Sequence, residues 1–209
     1  NMQNMFCKAG SNATTWNIGD LSNWDTSNII YMDYMFSEAG SNATTFNLNL
    51  SSWNTSKVTN MSMMFDSAGS SATTWSIGDL SSWDTSNVTD MSSMLSAAGS
   101  NATTWSIGNI SNWNTSNVTG MESMFDSAGQ NATTFNLNLS NWDTSKVTNM
   151  NSIFNGAGKN AKTWSIGDLS NWNTSSVTNM RSMFFGTGEK ATTWSIGDLS
   201  NWDTSKVTD

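Results

Sequence analysis

The stretch ATTWSIGDLSNWDTS, Ala191–Ser205, recurs with few changes at Ala102–Ser116 and Ala72–Ser86. Each copy contains two Trp residues at the same separation, Trp194 and Trp202 in the last of them. Internal repetition with a period of roughly 20 to 50 residues is typical of proteins built from stacked repeats. The recurrence therefore predicts the fold class before any single motif is considered.

Three columns of apolar residues repeat along the whole chain, at a spacing of 29 or 30 residues. The 29-residue units are the second and the fifth, in which FNLNLS replaces WSIGDLS. We expect all three columns to lie in the core, because they occupy the apolar phase of every unit. One core column contains Trp24, Trp53, Trp83, Trp113, Trp142, Trp172 and Trp202. The others are Trp16, Phe46, Trp75, Trp105, Phe135, Trp164 and Trp194, and Met2, Met32, Met61, Met91, Met121, Met150 and Met180.

Within a unit, the first apolar residues have helical spacing. Met61, Met64, Phe65 and Ala68 fall at i, i+3, i+4 and i+7, the stripe of an amphipathic helix. Asn60 stands where a helix cap is expected, and a glycine follows the stripe. The pattern predicts a short helix of about two turns in each unit.

A short strand is predicted after this helix. Thr74, Trp75, Ser76 and Ile77 alternate between polar and apolar residues, and Gly78 then turns the chain. The sequence therefore predicts a solenoid of the leucine-rich-repeat type, with coils of about 30 residues that each contain a short parallel strand and a two-turn helix. We expect residues 1–209 to form one solenoid of seven repeats, a segment of a longer array without evident caps.

The composition excludes most enzyme chemistry. The chain has no His and only one cysteine, Cys7, so His-based catalysis, an internal disulfide and a CxxC site are all absent. A net charge of −8 argues against nucleic acid and anionic membrane surfaces, which attract clustered positive charge. No apolar run approaches the roughly 18 residues that a membrane span needs. We expect a protein that is not an enzyme and binds neither nucleic acid nor a cofactor.

Aspartate and asparagine alternate at the position after the second Trp. This column, which we interpret as a structural ladder, runs Asp25, Asn54, Asp84, Asn114, Asp143, Asn173 and Asp203. Stacked carboxylates about 4.8 Å apart would repel each other, whereas an Asn amide between two of them can donate to both. Drift between duplicated copies is the alternative explanation.

A row of threonines is predicted to point outward from the strands. Its members, a candidate polar binding face, are Thr15, Thr45, Thr74, Thr104, Thr134, Thr163 and Thr193. A regular row of Thr side chains of this kind is suited to binding ice or a repetitive polysaccharide. The alternative interpretation is that these polar residues only keep the surface of the protein soluble. Structural calcium is a further alternative, since oxygen ligands recur after Gly at Asp20, Asp79, Asp168 and Asp198.

The segments LSNWDTSKVTNMNSIF, Leu139–Phe154, and VTNMRSMF resemble the repeats of BspA-like leucine-rich-repeat surface proteins. More narrowly, they are similar to the W-D-x-S-x-V-T-x-M-x-x-M-F repeat found in mycoplasmas and lactobacilli. The resemblance implies a right-handed solenoid on the cell surface, with a role in adhesion to a protein or glycan of a host. We therefore expect an extracellular structural or adhesion scaffold. The alternative is a filament subunit that associates end to end through open coil faces.

Overall fold

The computed structural model describes all 209 residues, Asn1–Asp209, as a stack of seven coils. Backbone hydrogen bonds join each coil to the next, as from the Met61 N–H to the Asp90 carbonyl and from the Thr89 N–H to the Thr59 carbonyl. We number the coils in chain order: 1–30, 31–59, 60–89, 90–119, 120–148, 149–178 and 179–208. The tandem repeat architecture expected from the sequence is confirmed.

Short parallel strands lie where the alternating pattern predicts them. Two two-stranded parallel sheets form, β1 with β2 and β3 with β4. Equivalent residues pair, so Phe46 lies opposite Trp75 and Phe135 opposite Trp164. The four strands are β1 (Thr45–Asn47), β2 (Thr74–Ser76), β3 (Thr134–Asn136) and β4 (Thr163–Ser165).

The predicted helix is wrong, because the structure contains no helix. The residues concerned form a run of overlapping turns in which three residues have positive φ, Met63 at 53°, Ser67 at 56° and Gly69 at 53°. Every second N–H donates three residues back, as from Met64 to Met61 (3.2 Å). The N–H groups between them donate to the following coil, as from Met63 to Ser92 (2.8 Å).

The physical reason lies in the spacing of the stack. An α-helix is about 10 Å wide with its side chains, about twice the roughly 4.8 Å between paired strands. An eight-residue helix would also leave its first four N–H and last four carbonyl groups without partners. The run of turns fits the spacing and gives alternate N–H groups an acceptor in the next coil. Asn60 still caps the segment, since its Oδ1 accepts the Ser62 N–H (2.8 Å).

The stripe predicted for the helix is nevertheless buried. All four of its residues are fully buried: Met61, Met64, Phe65 and Ala68. Each turn is closed by a hydrogen bond three residues back, so residues three or four apart lie on the same side of the segment, as they do in a helix. One hydrophobic core of 52 buried residues runs from Leu21 to Ile196. The repeats therefore form one continuous structure and not a row of independent beads.

Candidate polar binding face

The candidate binding face is a column of Thr side chains, one from each coil, and all seven are exposed. In β1 and β2 each of these residues precedes a buried ring, Thr45 before Phe46 and Thr74 before Trp75. Side chains alternate across a strand, so burial of the ring directs the Thr outward. The structure thus brings Thr15, Thr45, Thr74, Thr104, Thr134, Thr163 and Thr193 into one exposed column.

The neighbouring Thr column, one residue earlier, is used to join the coils. Thr73 Oγ1 donates to the Thr44 carbonyl (3.2 Å), and Thr133 Oγ1 donates to the Thr103 carbonyl (3.2 Å). The hydroxyls of the candidate face make no such bond within the protein and are free to bind an external group. This difference between adjacent columns could not be predicted from the sequence, where Thr occupies both positions in every coil except at Lys162.

The face is divided into blocks of three coils. Parallel bridges join Thr45 to Thr74 and Thr74 to Thr104, but none joins Thr104 to Thr134. Pairing resumes from Thr134 through the next two coils. The interruptions, before Thr45 and before Thr134, each lie just before a 29-residue coil and leave two registered sets of three Thr residues, with Thr15 outside both.

The Asp/Asn column is exposed, and its hydrogen bonds differ from those we expected. The Ser56 N–H donates to Asn54 Oδ1 (3.1 Å) and the Ser86 N–H to Asp84 Oδ1 (3.0 Å), each within one coil. No Asn amide in the column bridges the carboxylates above and below it, and each Asn Oδ1 instead accepts the N–H of the Ser two residues later in its own coil. Hydrogen bonds from that Ser hydroxyl and N–H lower the pKa of Asp25, Asp84, Asp143 and Asp203.

The contact between coils at this level comes from a buried Thr that follows each residue of the Asp/Asn column. Thr55 Oγ1 donates to the Asp84 carbonyl (2.9 Å), and Thr85 Oγ1 donates to the Asn114 carbonyl (3.1 Å). Both Thr side chains are 1% exposed. The sequence did contain an indication of this contact, because Thr occupies this position of the W-D/N-T-S motif in every coil. A polar residue that recurs without change beside buried residues is expected to have a hydrogen-bond partner.

The Trp column expected in the core points inward. Trp53, Trp83, Trp113, Trp142 and Trp172 are buried, whereas the outermost members, Trp24 and Trp202, are half-buried. Each indole N–H from Trp53 onward donates to a carbonyl of the preceding coil, as from Trp113 Nε1 to Leu80 (3.0 Å). These rings join the coils and are not available as a stacking platform for a ligand.

The aspartates considered for calcium act locally. Asp79 Oδ1 accepts the Ser81 N–H (2.9 Å), and a Cβ added to Gly108 of the next coil would lie 1.8 Å from the same oxygen. Asp20, Asp168 and Asp198 likewise each accept an N–H from the Ser two residues later, and Asp168 also packs against Gly197 of the next coil. The structure brings together no group of three or more His, Cys, Asp or Glu side chains that could hold a metal ion.

Asp66, in the run of turns, is a titratable group that no sequence motif indicates. Burial raises the pKa of Asp66, and the nearby carboxylates of Glu38 and Asp126 act in the same direction. A hydrogen bond with the Ser96 side chain opposes this shift. The residue is therefore an electrostatic cost to the fold at neutral pH.

Comparison with known proteins identifies a family for the whole chain. A family model described as "Mycoplasma protein of unknown function, DUF285" matches residues 1–128, 70–166 and 130–209. No curated protein and no solved structure matches the chain. None of its elements is a helix long and apolar enough to cross a membrane.

Proposed function

We propose that this chain, which belongs to the DUF285 family of Mycoplasma proteins of unknown function, is a non-enzymatic extracellular scaffold that adheres to a surface ligand. The observation that carries the proposal is the exposed Thr column with its free hydroxyls, in which strand pairing keeps two sets of three Thr residues in register on a continuous core. The ligand would be a protein or glycan of a host surface. Within this proposal the fold is a leucine-rich-repeat-like solenoid, and the closest functional class is that of BspA-like surface proteins.

Rigidity supports this function. Backbone bonds, buried Thr hydroxyls and indole N–H groups all join the same pairs of coils, so adjacent Thr side chains within one registered set keep a constant spacing. A ligand that binds across several coils then meets preorganised groups and loses less entropy on binding. The absence of His and the scarcity of charged groups in the sequence also favour recognition over catalysis.

A second candidate is ice or polysaccharide binding through the same face. The regular column of unpartnered Thr hydroxyls favours it, with short polar groups repeating at one coil per step. The break between Thr104 and Thr134 limits any continuous lattice match to three coils. This restriction makes an extended crystal surface a poorer fit than a ligand that spans one block.

The test compares two doubly substituted variants. Thr74→Arg with Thr134→Arg places bulk and charge on the candidate face, and Thr89→Arg with Thr148→Arg does the same on another exposed column. Binding of each variant to host cells, a glycan array and ice is compared with that of the unaltered chain. Loss confined to the first variant supports the face, and the assay in which it occurs identifies the ligand class.

Equal binding by both variants would refute a role for the Thr column. Electron microscopy at increasing protein concentration covers the remaining alternative, in which the coils associate end to end. Fibres that lengthen with concentration would favour a filament subunit, whereas particles of constant length would favour the scaffold.

A further inference from the structure

The junction between coils 4 and 5 lacks the backbone ladder present on the same side of other coils. The Leu80 N–H donates to the Ile107 carbonyl (2.9 Å), and the Leu139 N–H donates to the Ile166 carbonyl (2.9 Å). The equivalent Ile110 N–H makes no bond to Leu137, and no backbone–backbone hydrogen bond joins residues 104–113 to residues 134–142. Polar backbone groups are thus left without protein partners at this junction.

Contacts on either side prevent the gap from widening. The rings of Trp105 and Phe135 stack with centroids 4.9 Å apart, and the Trp142 indole N–H donates to the Ile110 carbonyl (3.0 Å). An additional strand would need its two neighbours roughly 9 to 10 Å apart, twice the normal strand spacing. A ligand therefore approaches this junction from the outside and does not insert between the coils.

A shallow cleft of about 340 Å³ lies at this junction, formed by Gly108, Asn109, Asn136, Leu137 and Asn138. The Oδ1 atoms of Asn109 and Asn138 accept the Ser111 and Ser140 N–H groups (3.1 and 3.2 Å), which leaves both amide NH₂ groups free. Asn136 is exposed with no hydrogen bond from its side chain. Leu137, 7% exposed, forms an apolar floor, and no charged residue lines the cleft.

We propose that this cleft binds a neutral glycan, with Asn109, Asn136 and Asn138 hydrogen-bonded to sugar hydroxyls and Leu137 under the C–H face of one ring. The cleft has the volume of a small ligand site. A charged ligand would find no counter-charge, and an apolar ligand would leave the amides and the free backbone groups unpaired. Sugar hydroxyls both donate and accept, so they match this lining.

The chain also contains a natural comparison. Coils 1 and 2 meet with the same break in the ladder, but Asp20 stands where coil 4 has Asn109. The carboxylate removes an amide donor and adds charge. The neutral lining is therefore specific to the junction of coils 4 and 5. The inference deepens the proposed adhesion function by naming a ligand class, and it rests on that function.

The test uses the whole chain labelled with ¹⁵N and neutral oligosaccharides of glucose, galactose or N-acetylglucosamine. We expect at least one of them to shift the side-chain amide signals of Asn109, Asn136 and Asn138. Asn136→Ala should weaken binding at least tenfold. Asn47→Ala, the same change in coil 2, is the matched control and should leave the affinity unchanged. A glycoprotein with neutral glycans forms a second arm, which distinguishes attached from free glycans.

A second pair of variants removes the cleft itself. Replacing FNLNLS at 135–140 by WSIGDLS makes coil 5 like coil 4, whereas the same replacement at 46–51 alters only coil 2. Loss of oligosaccharide binding in the first variant alone supports the proposal. Absence of amide shifts with every oligosaccharide, or full affinity in Asn136→Ala, overturns it. If no oligosaccharide binds but the unaltered chain still attaches to host cells, the cleft proposal fails and the scaffold function is retained. If the unaltered chain does not attach to host cells at all, the proposed function itself is refuted.

Discussion

Replacing Ala97 by glycine tests directly whether the Met-rich segment, residues 91–98 in coil 4 and their equivalents in the other coils, is a run of turns or a helix. Ala97 has φ of 50°, a left-handed conformation that costs a residue with a Cβ roughly 1 to 2 kcal/mol. Glycine removes that strain but gains entropy in the unfolded chain, which costs about 0.5–1 kcal/mol. The net expectation is a gain of about 0.5–1 kcal/mol in the free energy of unfolding. In a helix the same change would cost about 1 kcal/mol, so the two structures predict opposite signs.

The neighbouring residue provides a matched control. Ala98 is fully buried and has no positive φ, so Ala98→Gly loses a buried methyl group and gains unfolded-state entropy, at a cost of about 1.5 kcal/mol. Urea unfolding followed by tryptophan fluorescence measures both variants against the unaltered chain. Gly156 and Gly186 already occupy the position of Ala97 in coils 6 and 7. Destabilisation of Ala97→Gly to the same extent as Ala98→Gly would contradict the turn structure.

Three further changes probe the stack. Asn114→Asp places a carboxylate between Asp84 and Asp143, and rings of adjacent coils beside this column lie 6.3 and 6.1 Å apart. Repulsion of about 0.7 kcal/mol from each neighbour should lower stability by about 1.4 kcal/mol at low salt, and unfolding curves should show recovery on acidification or at high salt. Asp66→Asn should stabilise the fold at neutral pH, because the raised pKa of Asp66 means that the folded state binds its proton more tightly than the unfolded chain does. The unaltered protein therefore loses stability as the pH rises through the ordinary range of a carboxyl group. Melting temperatures measured over a pH series should show that the advantage of the variant disappears in acid. Thr115→Val removes a buried donor to the Asp143 carbonyl (3.0 Å) and should cost roughly 1 to 3 kcal/mol in chemical unfolding, whereas Thr115→Ser, which keeps the hydroxyl, should cost less.

Much of the architecture could be predicted from spacing alone. A period of 29 or 30 residues requires equivalent residues to stack, and the alternation around Trp75 indicates a strand with the ring on one side. The hydrogen-bond partners could not be predicted in the same way. Thr44 and Thr45 are identical side chains one position apart, yet the hydroxyl of only Thr44 is bonded to the preceding coil.

The Asp/Asn column illustrates why the site chemistry was harder to predict. Its alternation in the sequence predicts amides that bridge carboxylates of neighbouring coils, because equivalent residues are neighbours in a stack. In the structure, Asp84 Oδ1 instead accepts the N–H of Ser86, two residues later in the same coil. The sequence is equally compatible with this local contact. A preference for local side chain to backbone bonds after Asp and Asn is the competing principle that prevailed.

The sequence by itself determined the number of coils, their register and the residues that face the core, because periodicity fixes which side chains recur on one side of the chain. Only the tertiary structure decided how the Met-rich segment is folded and where the ladder is interrupted. A stripe at i, i+3, i+4 and i+7 is buried equally well by a helix and by successive turns. The choice between them depends on N–H acceptors in the next coil, and a pattern read along one chain does not contain those partners.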